Sequence, residues 1–349
     1  MKLKYNAVIA AAVAIAFAAP LAAHAEFFSF NPNPGVAPTI SGYTLIDQAP
    51  GNAYADNGLA AIAAFDAANK LSPGSGITAT GNAFTLYYQA NLQAITGPNG
   101  TPVFANGGTG TVSNIGTKTY LTFIAGFNER VSSYSAPTAA NNGLSNATFQ
   151  FVPGTPNYFT VYANNSGPGI DSTGVGFKNG TNILSGVIVS QTPTSGFGTF
   201  PPTVPFIDTT AAPNPAFAST GSVQGGGNSK ITVSITSVDN RYFPDLILGT
   251  SNIFSDFNTS LLLPFDTVNP TTCINTNTAT CPAGGLQTVA AVGTINGLNG
   301  RSILLQADAN QPFRRSAIPT VNVPEPGSLT LLGLGLAALG LMARRRKVS

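Results

Sequence analysis

The chain of 349 residues has no tryptophan, two methionines, two cysteines and one histidine, and only 8% of it is charged. The histidine, His24, stands in an N-terminal leader, so the chain left after leader removal has no imidazole at all. That excludes Ser-His-Asp and Cys-His nucleophilic catalysis and every zinc site that needs a histidine ligand. No cofactor, no metal site and no catalytic residue is assigned, and the chain is read as a non-enzyme.

Charge is scarce in a patterned way. Lys2 and Lys4 open the chain and Arg344, Arg345, Arg346 and Lys347 close it, so the body from Glu26 to Val323 keeps nine basic and twelve acidic residues, a formal charge of −3. A body without a basic stripe cannot neutralise a phosphate backbone, which excludes nucleic acid as a partner. What is abundant is Gly (38), Pro (26), Thr, Ser and Asn, the vocabulary of turns and short strands. A hydrophobic content of 43%, with 22 Phe, is enough to offset chain entropy, so the body folds rather than staying disordered.

Several segments alternate apolar and polar residues with period two, as half-buried strands do. They are Phe84 to Leu92, Thr119 to Phe127, Thr148 to Val152, Tyr158 to Tyr162, Asn182 to Ser190, Lys230 to Ser237 and Ser302 to Ala307. In the clearest, Ile231, Val233 and Ile235 alternate with Thr232, Ser234 and Thr236. Turn signals stand at Gly97 to Gly100, Asn106 to Gly108 and Gly225 to Asn228, and the run from Gly196 to Ser229 reads as a long loop or hinge. Only Leu59 to Lys70 has helical character, with alanines and an Ile62, Phe65 spacing. The expected fold class is all-β, an antiparallel β-sandwich-like body with an N-terminal signal helix and a C-terminal transmembrane helix.

Both ends read as addresses. Residues 1–25 combine Lys2 and Lys4, an apolar run from Ala7 to Ala19, a break at Pro20 and the small-x-small sequence Ala23-His24-Ala25, a secretory signal cut by signal peptidase before Glu26. Residues 26–311 form the β-rich body and 312–322 a linker. Residues 323–349 place Val323-Pro324-Glu325-Pro326-Gly327 before an apolar run to Ala343 and the cluster Arg344-Arg345-Arg346. The prolines hold an extended backbone without N–H donors, suited to an enzyme cleft. Gly327 to Ala343 is at the lower limit for a membrane-spanning helix, and the arginines stay on the cytoplasmic side.

This ordered combination resembles the PEP-CTERM sorting signal. The resemblance implies recognition of Pro324, Glu325, Pro326 and Gly327 by an exosortase, a membrane-embedded enzyme similar to cysteine proteases, with Arg344, Arg345 and Arg346 as the stop. It implies an inner-membrane intermediate held by the C-terminal helix, then release to the cell surface or extracellular matrix. Asp47 to Ala53, Leu86 to Leu92, Phe123 to Glu129 and Ile183 to Gly186 resemble segments of flocculation-associated PEP-CTERM proteins, a family implicated in holding cells in flocs within exopolysaccharide.

Cys273 and Cys281, in a chain bound for an oxidising compartment and with no Lys or Arg from Asn269 to Gln287, read as a disulfide. So short a loop contributes about 2 to 3 kcal/mol, mostly through the unfolded chain. Glu129, Asp171, Asp239, Asp245, Asp256 and Asp266 are the carboxylates a histidine-free glycosidase would need, and calcium has its best place around Asp239-Asn240 and Asp245. The simpler reading is that they cap turns. Tyr43, Tyr54, Tyr87, Tyr88, Tyr120, Tyr134, Tyr158 and Tyr162 are sugar-stacking residues in an exopolysaccharide-binding alternative and half-buried strand residues otherwise. The leader assignment is checked by N-terminal sequencing of the exported chain, which should begin at Glu26. Ala25→Phe, too bulky for the peptidase subsite, should leave the precursor uncut.

Overall fold

The computed structural model describes residues 28–31, 34, 40–43, 45–96, 102–105, 111–114, 117–204, 208, 210–213, 215, 222–246, 248, 251–259, 269, 271, 273–274, 287–288 and 303–315. The chain divides into Met1–Arg314 and Arg315–Ser349, and of the second unit only its first residue is described. The expected signal and transmembrane helices both lie outside the described residues. Among the described residues no helix is long and apolar enough to cross a membrane.

Fifteen strands, one α-helix and two short 3-10 helices make up the described chain. Early strands are β1 (Phe28–Phe30), β2 (Ile40–Tyr43), β3 (Leu45–Asp56), β4 (Ala83–Thr96), β5 (Pro102–Ala105) and β6 (Thr111–Asn114). The central ones are β7 (Thr117–Ser135), β8 (Ser145–Val152), β9 (Tyr158–Asn164), β10 (Thr181–Val204) and β11 (Ser222–Val238). Then follow β12 (Ser251–Thr259), β13 (Cys273–Ile274), β14 (Gln287–Thr288) and β15 (Ile303–Arg315). The all-β antiparallel character expected from the alternation is present, and the seven segments singled out lie in strands, save Ser302, which is outside the described residues.

The layering is different from a sandwich. One sheet of eleven strands runs in the order β5-β4-β3-β15-β12-β11-β10-β8-β7-β6, with β9 between β10 and β7 and a further pairing of β4 with β7. Because β4 pairs with β3 along one edge and β7 along the other, the sheet curls back on itself instead of splitting into two. The reason is strand length. Strands of 19, 24 and 17 residues (β7, β10 and β11) twist and bend along their course, and irregularities in register at Val131/Ser133 in β7 and Ile188/Ser190 in β10 add to that bend. β8 and β9 follow one another along the same flanks of β7 and β10, acting as one interrupted strand.

The run from Gly196 to Ser229 is a second correction. Its two described ends are strand rather than loop: Phe197 pairs with Gly227, Gly198 with Gly226 and Thr199 with Gly225. A Cβ on Gly227 would collide with the carbonyl of Gly196, so glycine serves here for a close cross-strand approach, not for a turn. The Gly97 to Gly100 and Asn106 to Gly108 turn signals lie outside the described residues. β15 continues through Arg315, beyond the residue 311 taken as the end of the body.

Alternation decides which face is inside the curl. Tyr88, Ala90 and Leu92 of β4, Leu121, Phe123, Ala125 and Phe127 of β7, Phe159 and Val161 of β9, and Ile231, Val233 and Ile235 of β11 form one buried cluster. α1 (Gly58–Leu71) extends it by placing Ala61, Ile62 and Phe65 against Phe84, Val131, Phe149 and Phe197. The helix is therefore amphipathic, with one side in the core and Leu71 at 89% exposure on the other. Phe65 is 3% exposed and also lies against Gly76. Phe65→Ala should cost about 3 to 5 kcal/mol, read as a lower denaturant midpoint at unchanged slope.

Candidate functional site

Among the described residues the inner face carries a carboxyl group deep in the core. Glu129 shares its face of β7 with Phe127 and Val131, sits opposite Phe84 on β4 and Phe151 on β8, and is 1% exposed. Gln191 of β10 donates through Nε2 to Glu129 Oε1 and to Ser229 Oγ of β11, the latter at 2.8 Å. The Ser195 hydroxyl also hydrogen-bonds the carboxyl. Burial pushes the carboxyl up to about 7, and the bonds from Gln191 and Ser195 only partly oppose that. The group is thus a polar knot that ties β7, β10 and β11 together inside an apolar core.

The outer face of β4, β7 and β9 is covered by chain rather than by solvent. Thr122 Oγ1 donates to Phe177 O at 2.9 Å, and Asn91 forms a two-bond pair with Gly169, Nδ2 to the carbonyl at 3.0 Å and Gly169 N to Oδ1 at 2.8 Å. Gln89 Nε2 donates to Thr271 Oγ1 at 3.2 Å and to Cys273 O at 3.3 Å. Ile124, Tyr158, Tyr162 and Phe177 form a small apolar cluster beside these polar ties. Gly126 is needed here because a Cβ would meet the Tyr158 ring at 2.6 Å.

The remaining carboxylates are scattered. Asp171 lies in the outer loop 165–180, half-buried as a residue, with an Oδ1 that is shielded from solvent and has no hydrogen-bond partner. Burial pushes it up to about 7. Glu129 and Asp171 therefore stand on opposite faces of the sheet and form no catalytic pair. Asp239 is held by Arg241, with Nη2 donating at 2.6 Å and the Arg241 backbone N–H at 3.0 Å, and the guanidinium keeps it below the usual carboxylate range. That ion pair occupies the oxygens a calcium ion would need. Asp245 is exposed, the side chain of Asp256 is not described and Asp266 lies outside the described residues. Among the described residues no group of three His, Cys, Asp or Glu is placed to hold a metal ion.

The tyrosines fill the sheet. Tyr54, Tyr88, Tyr158 and Tyr162 are buried and Tyr87, Tyr120 and Tyr134 half-buried, while the side chain of Tyr43 is not described. Cys273 is disulfide-bonded and 5% exposed, and Cys281 lies outside the described residues. The leader residues Ala23, Ala25 and Glu26 and the sorting residues Pro324, Glu325, Pro326, Gly327, Arg344, Arg345 and Arg346 also lie outside them. Sequence reasoning missed the polar covering of the outer face. Asn91 and Gln89 stand in a strand whose alternation reads as a solvated polar face, and nothing local announces that distant loops will lie upon it.

The address at the C-terminus is decided by comparison with known families. Residues 322–347 match the PEP-CTERM protein-sorting motif. The chain is a PEP-CTERM sorting domain-containing protein. The motif makes the chain an exosortase substrate, exported and directed to the cell surface. No curated protein and no solved structure matches the chain.

The Glu129 knot yields a stability test with a definite sign. The folded carboxyl keeps its proton up to about pH 7, whereas in the unfolded chain it ionises near its ordinary 4.5. The native state binds the extra proton between those values, so stability falls as pH rises from about 4.5 to 7. The cost approaches about 3 kcal/mol above pH 7. Glu129→Gln keeps an acceptor for Gln191 and removes the charge. Its Tm should fall less than that of the parent between pH 5 and pH 8, with some slope retained from Asp171.

Proposed function

We propose that this exosortase-sorted protein is a non-catalytic structural or adhesive component of the cell envelope or matrix, acting in aggregation, floc or biofilm formation. The observation that carries the reading is the pairing of a surface-sorting address with a body whose inner space is filled by aromatic and aliphatic side chains. Such a body offers a rigid wall to its surroundings. Its outward positions on β11, Thr232, Ser234 and Thr236, are polar, the reverse of the apolar belt that a transmembrane barrel presents to lipid. Hydroxyl and amide surfaces of this kind hydrogen-bond to hydrated polymers.

In this reading signal peptidase cuts before Glu26, the C-terminal helix holds an inner-membrane intermediate, and exosortase acts at Pro324-Glu325-Pro326. The short body motifs Asp47 to Ala53, Leu86 to Leu92, Phe123 to Glu129 and Ile183 to Gly186 are what support the flocculation-associated type. A glycosidase is disfavoured because Glu129 and Asp171 stand on opposite faces. A sugar-stacking platform is disfavoured because Tyr54, Tyr88, Tyr158 and Tyr162 are buried and Tyr87, Tyr120 and Tyr134 half-buried.

The test is genetic. Deleting the gene in a strain that flocculates should reduce aggregate size and settling rate, restored by the parent gene. A gene with Pro324-Glu325-Pro326 replaced by alanines should not restore them, its product staying in the inner-membrane fraction. Unchanged settling in the deletion strain would reject the adhesive role; surface display of the alanine variant would reject recognition by this motif.

A further inference from the structure

The N-terminal strand stands apart from the curled sheet. Among the described residues β1 pairs with β2, Phe28 opposite Tyr43 and Phe30 opposite Ile40, in a separate two-stranded sheet. A ladder of that size is marginal in water by itself and persists only when packed against something. Phe30 supplies the packing. It is 0% exposed and belongs to the main core cluster, its ring centroid 5.1 Å from that of Phe243. Ser29 and Asn31 on either side are buried too, and the Asn31 N–H donates to Tyr242 O at 2.8 Å.

The seat of Phe30 is closed by bonds that do not involve β1. After β11 the chain turns so that the N–H groups of Tyr242 and Phe243 donate to Asp239 O at 2.9 and 3.0 Å, and the Leu246 N–H donates to Phe243 O at 3.3 Å. The Asp239 N–H ties the turn to Ile183 O of β10 at 2.9 Å. Phe243 and Leu246 enter the core from this turn at 0% and 5% exposure. At its rim Asp239 and Arg241 form an ion pair. Phe28 to Asn31 carries no charge, so a second chain bringing the same four residues meets no like charge here.

Residues 32–39 join β1 to β2, and Pro32, Pro34 and Pro38 are among these eight. Proline-rich chain favours extension at about 3 Å per residue, which gives such a tether a reach of about 25 Å. β1 is thus an aromatic anchor and a short ladder at the end of a long-reaching tether, and an identical segment from another molecule satisfies the same contacts. We propose that the Phe30 seat is an interface between copies of this chain: β1 of one molecule leaves its own seat and occupies the same seat in a second, pairing with that molecule's β2. Every contact made in the exchange already exists within one chain, as in a domain swap, and a swap that is passed on without being returned links copies into an open chain. A short tether holds its own strand at an effective concentration of about a millimolar, so β1 stays at home in dilute solution and exchanges where copies are crowded. The inference concerns the chain itself and stands whether or not the surface role is adhesive.

Cross-linking of the purified exported chain tests this. Phe28 and Tyr43 stand opposite one another, at a spacing a disulfide can span. The double variant Phe28→Cys, Tyr43→Cys should close that bond within one molecule in dilute solution. Phe28→Cys and Tyr43→Cys made in separate chains, mixed and oxidised, should form a dimer joined between positions 28 and 43, identified by peptide mass, with a yield that climbs as the mixture approaches about a millimolar. Adding Phe30→Ala to the Phe28→Cys chain should lower that yield at least tenfold, because the weakened strand competes with the acceptor's own β1. Three results overturn the proposal: a double variant that does not close internally, a mixture that stays free of the 28–43 dimer at about a millimolar, or a dimer yield that Phe30→Ala leaves unchanged.

Discussion

A β-strand presents a row of hydrogen-bonding groups on each edge, and this sheet is governed by the need to satisfy both rows of β4 and β7. β4 is paired with β3 on one side and with β7 on the other, and β7 in turn takes β9 and then β8 on its far edge. Those pairings force the sheet to turn on itself, and turning brings alternate residues of β4, β7, β9 and β11 into one core. The helix, the Glu129 knot and the outer covering are all placed by that curl. Without the β4–β7 ladder the apolar face would be spread across an open surface with too little chain to cover it.

Period-two alternation made the individual strands readable, because burial on one face imposes the pattern locally. Ile231, Val233 and Ile235 could face nowhere else. Whether strands join in one sheet or two is set by pairings between residues far apart, such as Gly126 with Tyr158 or Ala309 with Gln48, and no local pattern records them. Glycine misled for a related reason. Gly225 to Gly227 look like turn residues by composition, yet they stand within β11, and at Gly227 the facing strand approaches too closely for a side chain.

The C-terminal sorting motif and the body differ in how they encode their roles. An address read by an enzyme must be recognisable in an unfolded or extended chain, so the whole of its information is linear. A surface built by folding is assembled from pieces such as Gln89, Gly174 and Cys273, which are neighbours only in space. The carboxylates illustrate the point: their chemistry was visible in the residue list, but the sheet places Glu129 inside and Asp171 outside, which only the fold determines.

β15 ends at Arg315 and the matched sorting motif begins at residue 322. The strand is not on an edge; β3 lies along one flank and β12 along the other. Any tension applied through the tail, during translocation or while the enzyme grips it, is therefore fed into an interior strand. Withdrawing such a strand requires the ladders on both flanks to yield. The body is thus mechanically well suited to be handled by its tail without being unravelled from that end.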